Sequence, residues 1–185
     1  MAELWLVRHG QTDWNLEQRI QGHTDLPLNG TGMAQARDLG ESLAGSSFDA
    51  LFSSDLQRAR QTAAALARRF HLSIHLDQRL RERSLGVWEG LTIPEIKQRY
   101  PEFEENRRRD PLNTAPPGGE SLLQLAERVT HAAGDITRQF PSGRVLVVSH
   151  GLALAALICL AREIPLQEAF KRIPQNASPE VVQWI

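Results

Sequence analysis

Cysteine is nearly absent from this 185-residue sequence, which contains only Cys159. A single cysteine excludes a disulfide within the chain and zinc sites built from several cysteines, and Cys159 is best explained as a small core residue. Long hydrophobic runs are also missing, because no apolar segment reaches the length of a membrane-spanning helix. The N-terminus has no basic segment of the kind that opens a secretion signal. We therefore expect a cytoplasmic protein.

Charge of either sign is not in excess. The formal net charge is -1, hydrophobic residues make up 41% of the chain and charged residues 23%. These proportions are typical of a soluble globular protein, and we expect residues 1–185 to form one domain. A net charge near zero gives no general attraction to nucleic acid or to an anionic membrane, so neither is expected as a partner. Lysine is scarce, and arginine, which suits bidentate phosphate binding, supplies most of the positive charge.

Two apolar segments, residues 3–7 and 144–149, each predict a short buried strand. The first segment is followed by Arg8 and then by the pair His9-Gly10, and the second is followed directly by His150-Gly151. In an open α/β sheet, ligands bind just beyond the carboxyl ends of the strands. A single histidine at a strand end is usually structural, but the repetition predicts two imidazoles side by side at one edge of a sheet.

Residues 56–70 give the clearest helix pattern, with apolar side chains at helical spacing and capping side chains expected from residues 53–55. Arg58 lies in the first turn, away from the apolar stripe, where backbone N–H groups favour an anion. Two interpretations of Arg58 are open from the pattern alone. It is either a ligand for an anion or a solvated surface charge, as we expect for Arg60.

Two carboxylates lie close together in the polar segment that follows. Glu82 lies between Arg81 and Arg83, and Glu89 follows a few residues later. Spacing alone does not separate Glu82 from Glu89, and a surface ion pair is the alternative for Glu82.

Residues 102–117 carry a run of acids followed by three arginines and several prolines, with no periodicity. Such a run predicts a solvated loop. The alternative is that a segment spanning about residues 87–119 forms a cap over the site. A second amphipathic helix follows, for which Ser121 and Gln124 form a capping box.

Residues 6–12, Leu-Val-Arg-His-Gly-Gln-Thr, resemble the signature of the histidine phosphatase superfamily, which includes the cofactor-dependent phosphoglycerate mutases. The segments around Arg58, Glu82, residues 118–121 and His150 are similar to further motifs of that family, in the same order. This resemblance implies a phosphoglycerate mutase-like fold, an α/β class three-layer α/β/α sandwich with a mainly parallel sheet. Residues 82–86 depart from the mutase pattern Glu-Arg-His-Tyr-Gly, and residues 86–90 look more like the small phosphatase branch.

By this resemblance the protein is expected to be a histidine acid-type phosphatase, a metal-independent phosphomonoesterase without a cofactor. His9 would attack phosphorus to form a phosphohistidine, and Glu82 would carry the proton. The alternative is a phosphoglycerate mutase. The expected partner is a small-molecule phosphate monoester, and the chain could form a homodimer. The expected site residues are His9, Glu82 and His150 for catalysis; Arg8, Asn15, Arg58, His150 and Gly151 for phosphate; and Gln21, Gly22 and Ser121 for the rest of the substrate.

Overall fold

The apolar segments that precede the two His-Gly pairs form neighbouring parallel strands in the middle of a five-stranded sheet. The computed structural model describes residues 1–184. The strands within this range are β1 (Ala2–Arg8), β2 (Ala50–Ser53), β3 (Ile74–Leu76), β4 (Arg144–Ser149) and β5 (Pro179–Trp184). Their order in the sheet is β3-β2-β4-β1-β5, and β5 alone is antiparallel to its neighbour. Arg8 pairs with Ser149 in register, so the two His-Gly turns leave the sheet side by side.

Helices cover both faces of the sheet. The α-helices within residues 1–184 are α1 (Asp13–Leu16), α2 (Gly30–Ser42), α3 (Gln57–Phe70), α4 (Ile93–Arg99), α5 (Pro101–Arg109), α6 (Leu122–Gln139) and α7 (Gly151–Ala161). On one face, β1 residues Leu4 and Leu6 pack in a core with α6 and α7, whereas Val7 packs with α3 on the other face. The expected three-layer α/β/α sandwich is therefore confirmed. Among the described helices, none has both the length and the apolar character needed to span a bilayer.

The charged segment at residues 102–117 is not entirely the solvated loop that its composition predicts, because its first half, residues 102–109, belongs to α5. Proline opens this helix, acids occupy its first turn and three arginines its last turn, which is the favourable order for the helix dipole. Glu104 pairs with Arg107 and Glu105 with Arg109 along the helix surface. No residue of α5 is fully buried, so apolar periodicity could not reveal it.

Helix α3 is also capped differently from the prediction. The N-cap residue is Leu56, whose side chain cannot cap, and the Gln57 N–H donates to Asp25 Oδ1 at 2.6 Å. The capping oxygen therefore comes from the loop before α2, although Ser54 Oγ does accept from the Leu56 N–H at 3.3 Å. This contact joins the loop around residue 25 to the start of the helix that carries Arg58.

Candidate active site

A cavity of about 490 Å³ opens at the carboxyl ends of the central strands. Arg8 and His9 enter it from the end of β1, Arg58 from the first turn of α3, and Gly151 from the start of α7. Glu82 lines the same cavity from the connection that follows β3. The fold therefore gathers a histidine, two arginines and a carboxylate that are far apart in the sequence.

His9 is held with one ring nitrogen free. The ring is almost fully buried, and Nδ1 lies 2.7 Å from the carbonyl oxygen of Gly10. Because a carbonyl only accepts, Nδ1 carries the proton and Nε2 keeps its lone pair. Burial, followed by the charges of Arg58 and Arg8, lowers the pKa of His9 well below its ordinary value of 6.5. The imidazole is therefore neutral near pH 7 and has an available nucleophilic nitrogen.

His150 lies beside His9, as the repeated strand-His-Gly pattern predicts. The two ring centroids are 5.1 Å apart, and His150 Nε2 lies 2.8 Å from Ser54 Oγ. His150 is completely buried and is not among the residues that line the cavity. Burial, followed by the charge of Arg58 and by His9, lowers its pKa well below 6.5. His150 thus lies behind the cavity wall next to His9.

Arg58 is not the solvated charge that was the alternative interpretation, because its side chain is 0% exposed. Its Nη1 donates to the Thr24 carbonyl and its Nη2 to the Gly22 carbonyl, both at 2.8 Å. Burial lowers the pKa of Arg58 to about 10, so it remains a cation at neutral pH. Arg8 is anchored similarly, by donation from Nη1 to the Pro174 carbonyl at 2.8 Å.

Three buried nitrogen atoms around His9 have no hydrogen-bond partner within residues 1–184: Arg8 Nε, Arg58 Nε and His150 Nδ1. Buried donors are nearly always paired in native proteins, so each unpaired one needs an explanation. Guanidinium N–H groups form strong hydrogen bonds with phosphate oxygens. Arg8 and Arg58 line the cavity, so an anion in front of His9 would supply acceptors for their two Nε–H donors.

The structure separates the two candidate carboxylates. Glu82 lines the cavity, and its carboxylate accepts from the backbone N–H groups of Leu152 and Ala153, both at 3.1 Å, at the start of α7. Glu89 does not line the cavity. Its two oxygens accept from the backbone N–H groups of His23, Thr24 and Leu85 and from the Thr24 hydroxyl. Glu89 therefore holds loops together, and Glu82 is the carboxylate available to a ligand.

The remaining predicted site residues divide into two groups. Asn15, Gln21, Gly22 and Gly151 line the cavity. Asn15 Oδ1 is used in the cap of α1, where it accepts from the Thr12 backbone N–H at 3.1 Å, which leaves its amide NH2 for a ligand. A side chain at Gly151 would put its Cβ 2.9 Å from Ile173 Cγ2. Ser121 lies outside the cavity lining and caps α6, accepting from the Gln124 N–H at 3.1 Å.

Sequence reasoning allowed for a cap from residues 87–119 but named none of the residues that form the outer wall of the cavity. Arg83 lies next to Glu82 in the lining, almost fully buried, and donates to the carbonyls of Glu120 and Thr114. Trp88 packs edge-to-face on Phe103 of α5, with ring centroids 4.2 Å apart. The other lining residues from this segment are Leu85, Ile93, Ile96, Lys97, Tyr100, Glu104 and Arg107. Single aromatic and apolar residues in short helices carry no pattern that distinguishes a cavity wall from a core.

No group of three or more histidine, cysteine, aspartate or glutamate side chains in residues 1–184 is arranged to hold a metal ion.

Comparisons with known proteins agree on one family. The family model for the histidine phosphatase superfamily (branch 1) matches residues 4–185. The chain is 38% identical over 158 residues to a Bacillus subtilis protein named "Uncharacterized phosphatase PhoE", a match that covers 85% of this chain and 76% of the relative. It is 41% identical over 170 residues to a Salmonella choleraesuis protein named "Probable phosphoglycerate mutase GpmB", covering 89% and 77%.

Among solved structures, a mycobacterial glucosyl-3-phosphoglycerate phosphatase in complex with VO3 superposes with a TM-score of 0.87 at 34% identity. The superposition covers 97% of this chain and 90% of that one.

Proposed function

This chain belongs to the histidine phosphatase superfamily, and we propose that it hydrolyses small phosphate monoesters through a phosphohistidine at His9, without a metal or a cofactor. One observation carries the proposal. A neutral His9 with a free Nε2 lines a cavity that it shares with two cations, the half-buried Arg8 and the buried Arg58. A nucleophile can approach an anionic phosphoryl group only when that group's charge is compensated, and the two guanidinium groups provide this compensation.

In the first step, His9 Nε2 attacks phosphorus and the bond from phosphorus to the leaving oxygen breaks. Glu82 gives its proton to that oxygen, so the leaving group departs as an alcohol. His150 supports this step from behind His9. Ser54 Oγ accepts from the Leu56 N–H, so its own hydroxyl proton is free for His150 Nε2, and we assign the His150 proton to Nδ1. Nδ1–H is then an unpaired donor behind His9, and in our proposal it reaches a phosphoryl oxygen when the bound ligand shifts the cavity wall.

In the second step, the Glu82 carboxylate takes a proton from water while the water oxygen attacks the phosphorus of phosphohistidine. The bond from phosphorus to Nε2 breaks, which returns neutral His9 and releases inorganic phosphate. Each group ends in the protonation state in which it began. The cycle therefore closes with the residues of this chain alone.

A phosphoglycerate mutase is the second candidate, and the similarity to the GpmB protein favours it. Both activities would use His9, and they differ in whether water or a second substrate hydroxyl receives the phosphoryl group. The departure of residues 82–86 from the mutase pattern supports the phosphatase.

The experiment that tests the proposal measures both outcomes on the same sample. The purified protein, primed with 2,3-bisphosphoglycerate, is given 3-phosphoglycerate, and released phosphate and 2-phosphoglycerate are followed together. A panel of sugar phosphates, phosphoserine and α-ribazole phosphate is then assayed for phosphate release. Phosphate release that is faster than the interconversion of 2- and 3-phosphoglycerate supports the phosphatase. Interconversion of 2- and 3-phosphoglycerate that is faster than release would make the protein a mutase.

A further inference from the structure

Arg128 binds the segment that carries Glu82, although it lies on α6 and does not line the cavity. Its Nη1 donates to the carbonyls of Arg79 and Arg81 at 2.8 and 3.0 Å, and its Nη2 donates to the carbonyl of Glu82 at 3.1 Å. One guanidinium group therefore fixes three of the four carbonyls in residues 79–82. Few side chains other than arginine can make so many divergent donations.

Glu120 completes this attachment from the other side. Its carboxylate accepts from Arg128 Nε at 2.8 Å and from Nη2 at 2.7 Å, which is a bidentate pair. The same carboxylate accepts from the Ser84 N–H at 2.8 Å, and the Glu120 carbonyl accepts from Arg83 Nε at 2.7 Å. The backbone is thus held both before and after Glu82.

The Glu120–Arg128 pair is charged at neutral pH. Burial raises the pKa of Glu120, but the hydrogen bonds from Arg128 and the Ser84 N–H outweigh it, and the net effect is a pKa below the ordinary value. The two side chains are only about one-fifth exposed, at 20% and 22%, so solvent screens the pair less than it screens a surface ion pair. Removing either partner leaves a partly buried charge unpaired.

We propose that Arg128, held by Glu120, is a positioning residue that sets where the Glu82 carboxyl group meets the leaving oxygen. This rests on the proposed function, in which Glu82 is the proton carrier. The Glu82 carboxylate accepts from the Leu152 and Ala153 N–H groups of α7 and from the Arg83 N–H of its own segment. The Glu82 carbonyl accepts from Arg128 of α6 and lies 2.7 Å from His23 Nε2. Proton transfer requires the Glu82 carboxyl group to lie within hydrogen-bond distance of the leaving oxygen. A shift of the Glu82 backbone therefore slows that step.

The test uses Arg128→Lys, which keeps the charge but cannot hold a carboxylate and three carbonyls in one plane. An alkyl phosphate such as 3-phosphoglycerate depends on the acid, whereas p-nitrophenyl phosphate has a good leaving group. We expect kcat/KM for the alkyl phosphate to fall by about 10- to 100-fold. Single-turnover formation of phosphoenzyme from p-nitrophenyl phosphate should change by less than about threefold. Glu120→Gln should show the same selective loss.

Two controls separate positioning from general damage. Arg138, also on α6, pairs with Asp135 at an exposed site. Arg138→Lys should change neither kcat/KM for the alkyl phosphate nor phosphoenzyme formation from p-nitrophenyl phosphate. In a Glu82→Gln background, Arg128→Lys should add little further loss for the alkyl phosphate, because the group that it positions is already gone.

Equal losses on both substrates in a folded Arg128→Lys variant, or no loss on either, would overturn the proposal. If Arg128→Lys does not fold, the same criteria apply to Glu120→Gln. Failure of the proposed function looks different. Without His9 chemistry, the wild-type enzyme would form no phosphohistidine and Glu82→Gln would show no leaving-group dependence, and a mutase would interconvert 2- and 3-phosphoglycerate faster than it releases phosphate.

Discussion

At the scale of single residues, burial gives each group at the site its chemical character. The same burial keeps His9 neutral and leaves Arg58 charged, because the guanidinium starts from a far higher pKa. A neutral imidazole beside a cation follows from these two positions. The sequence shows both residues, but it does not show that Arg58 is buried whereas Arg60 is exposed.

Arg58→Ala should weaken transition-state stabilisation by about 3 kcal/mol or more, because phosphoryl charge is left uncompensated. Steady-state kcat/KM on a phosphate monoester measures this loss. Arg60→Ala is the control on the same helix and should change little. Arg58→Ala also leaves the Gly22 and Thr24 carbonyls without their donor, so thermal unfolding must be measured on the same sample. Equal kinetic losses at both arginines would mean that the pocket cation is misassigned.

His150→Ala should also weaken transition-state stabilisation by about 3 kcal/mol or more, since it removes the donor assigned to Nδ1. His150→Asn has a smaller side chain but retains an amide N–H donor near the position of Nδ1, and it should lose less. Kinetics of phosphoenzyme formation distinguish the two variants. Full activity in His150→Ala would remove His150 from the mechanism.

Glu82→Gln keeps the shape of the side chain and removes its proton. Turnover of alkyl phosphates should fall much further than phosphoenzyme formation from p-nitrophenyl phosphate, since p-nitrophenolate leaves without an acid. The variant should also accumulate phosphohistidine, because the same group activates water. Glu89→Gln is the matched control, and its effect should appear in stability rather than in leaving-group dependence. The opposite pattern would assign the acid to Glu89.

At the scale of secondary-structure elements, the sequence predicts the strands and the helices with an apolar face. It does not predict polar contacts between loops that are distant in the chain. The two strands that end in His-Gly, the stripe on α3 and the capping box on α6 are all local patterns, and the structure contains each of them. Helix α5 is stabilised by acids in its first turn, arginines in its last turn and ion pairs along its surface. It has no buried apolar face, so the spacing of its apolar residues does not predict a helix. The cap over the site stays a prediction, although this segment contributes the outer wall of the cavity.

The cap of α3 shows the same limit and gives a test at this scale. Asp25→Ala removes the carboxylate that accepts from the Gln57 N–H and should lower the free energy of unfolding by about 1 kcal/mol. Asp25→Asn retains the side-chain acceptor and should lose less. Urea unfolding of the three proteins measures the difference. Equal stability of Asp25→Ala and wild type would mean that water caps this helix equally well.

At the scale of the whole molecule, the buried histidine pair links folding to pH. His9 and His150 stay neutral in the folded chain because burial lowers their pKa values well below 6.5. In the unfolded chain both take up protons below about pH 6.5. The unfolded state then binds more protons, so the free energy of unfolding falls as the pH drops below that value. The slope is at most about 1.4 kcal/mol per pH unit for each histidine.

Urea unfolding between about pH 7.5 and about pH 5.5 measures this slope. His150→Asn should reduce the slope of the free energy of unfolding against pH by up to the amount that one histidine contributes. This holds whatever its effect on stability at neutral pH. A wild-type stability that is flat across this range would contradict the burial of two neutral histidines.

The central claim is that His9 carries the phosphoryl group, and trapping the intermediate tests it most directly. Wild type and Glu82→Gln are mixed with phosphate-labelled p-nitrophenyl phosphate, which needs no acid, in the presence of a chelator, quenched in alkali and mapped by mass spectrometry, with His9→Asn as the control. We expect an acid-labile, base-stable phosphoryl group on His9 in both proteins, more of it in Glu82→Gln, and none in His9→Asn. Label on any other residue, or turnover that stops with the chelator and returns with added metal, would contradict the account.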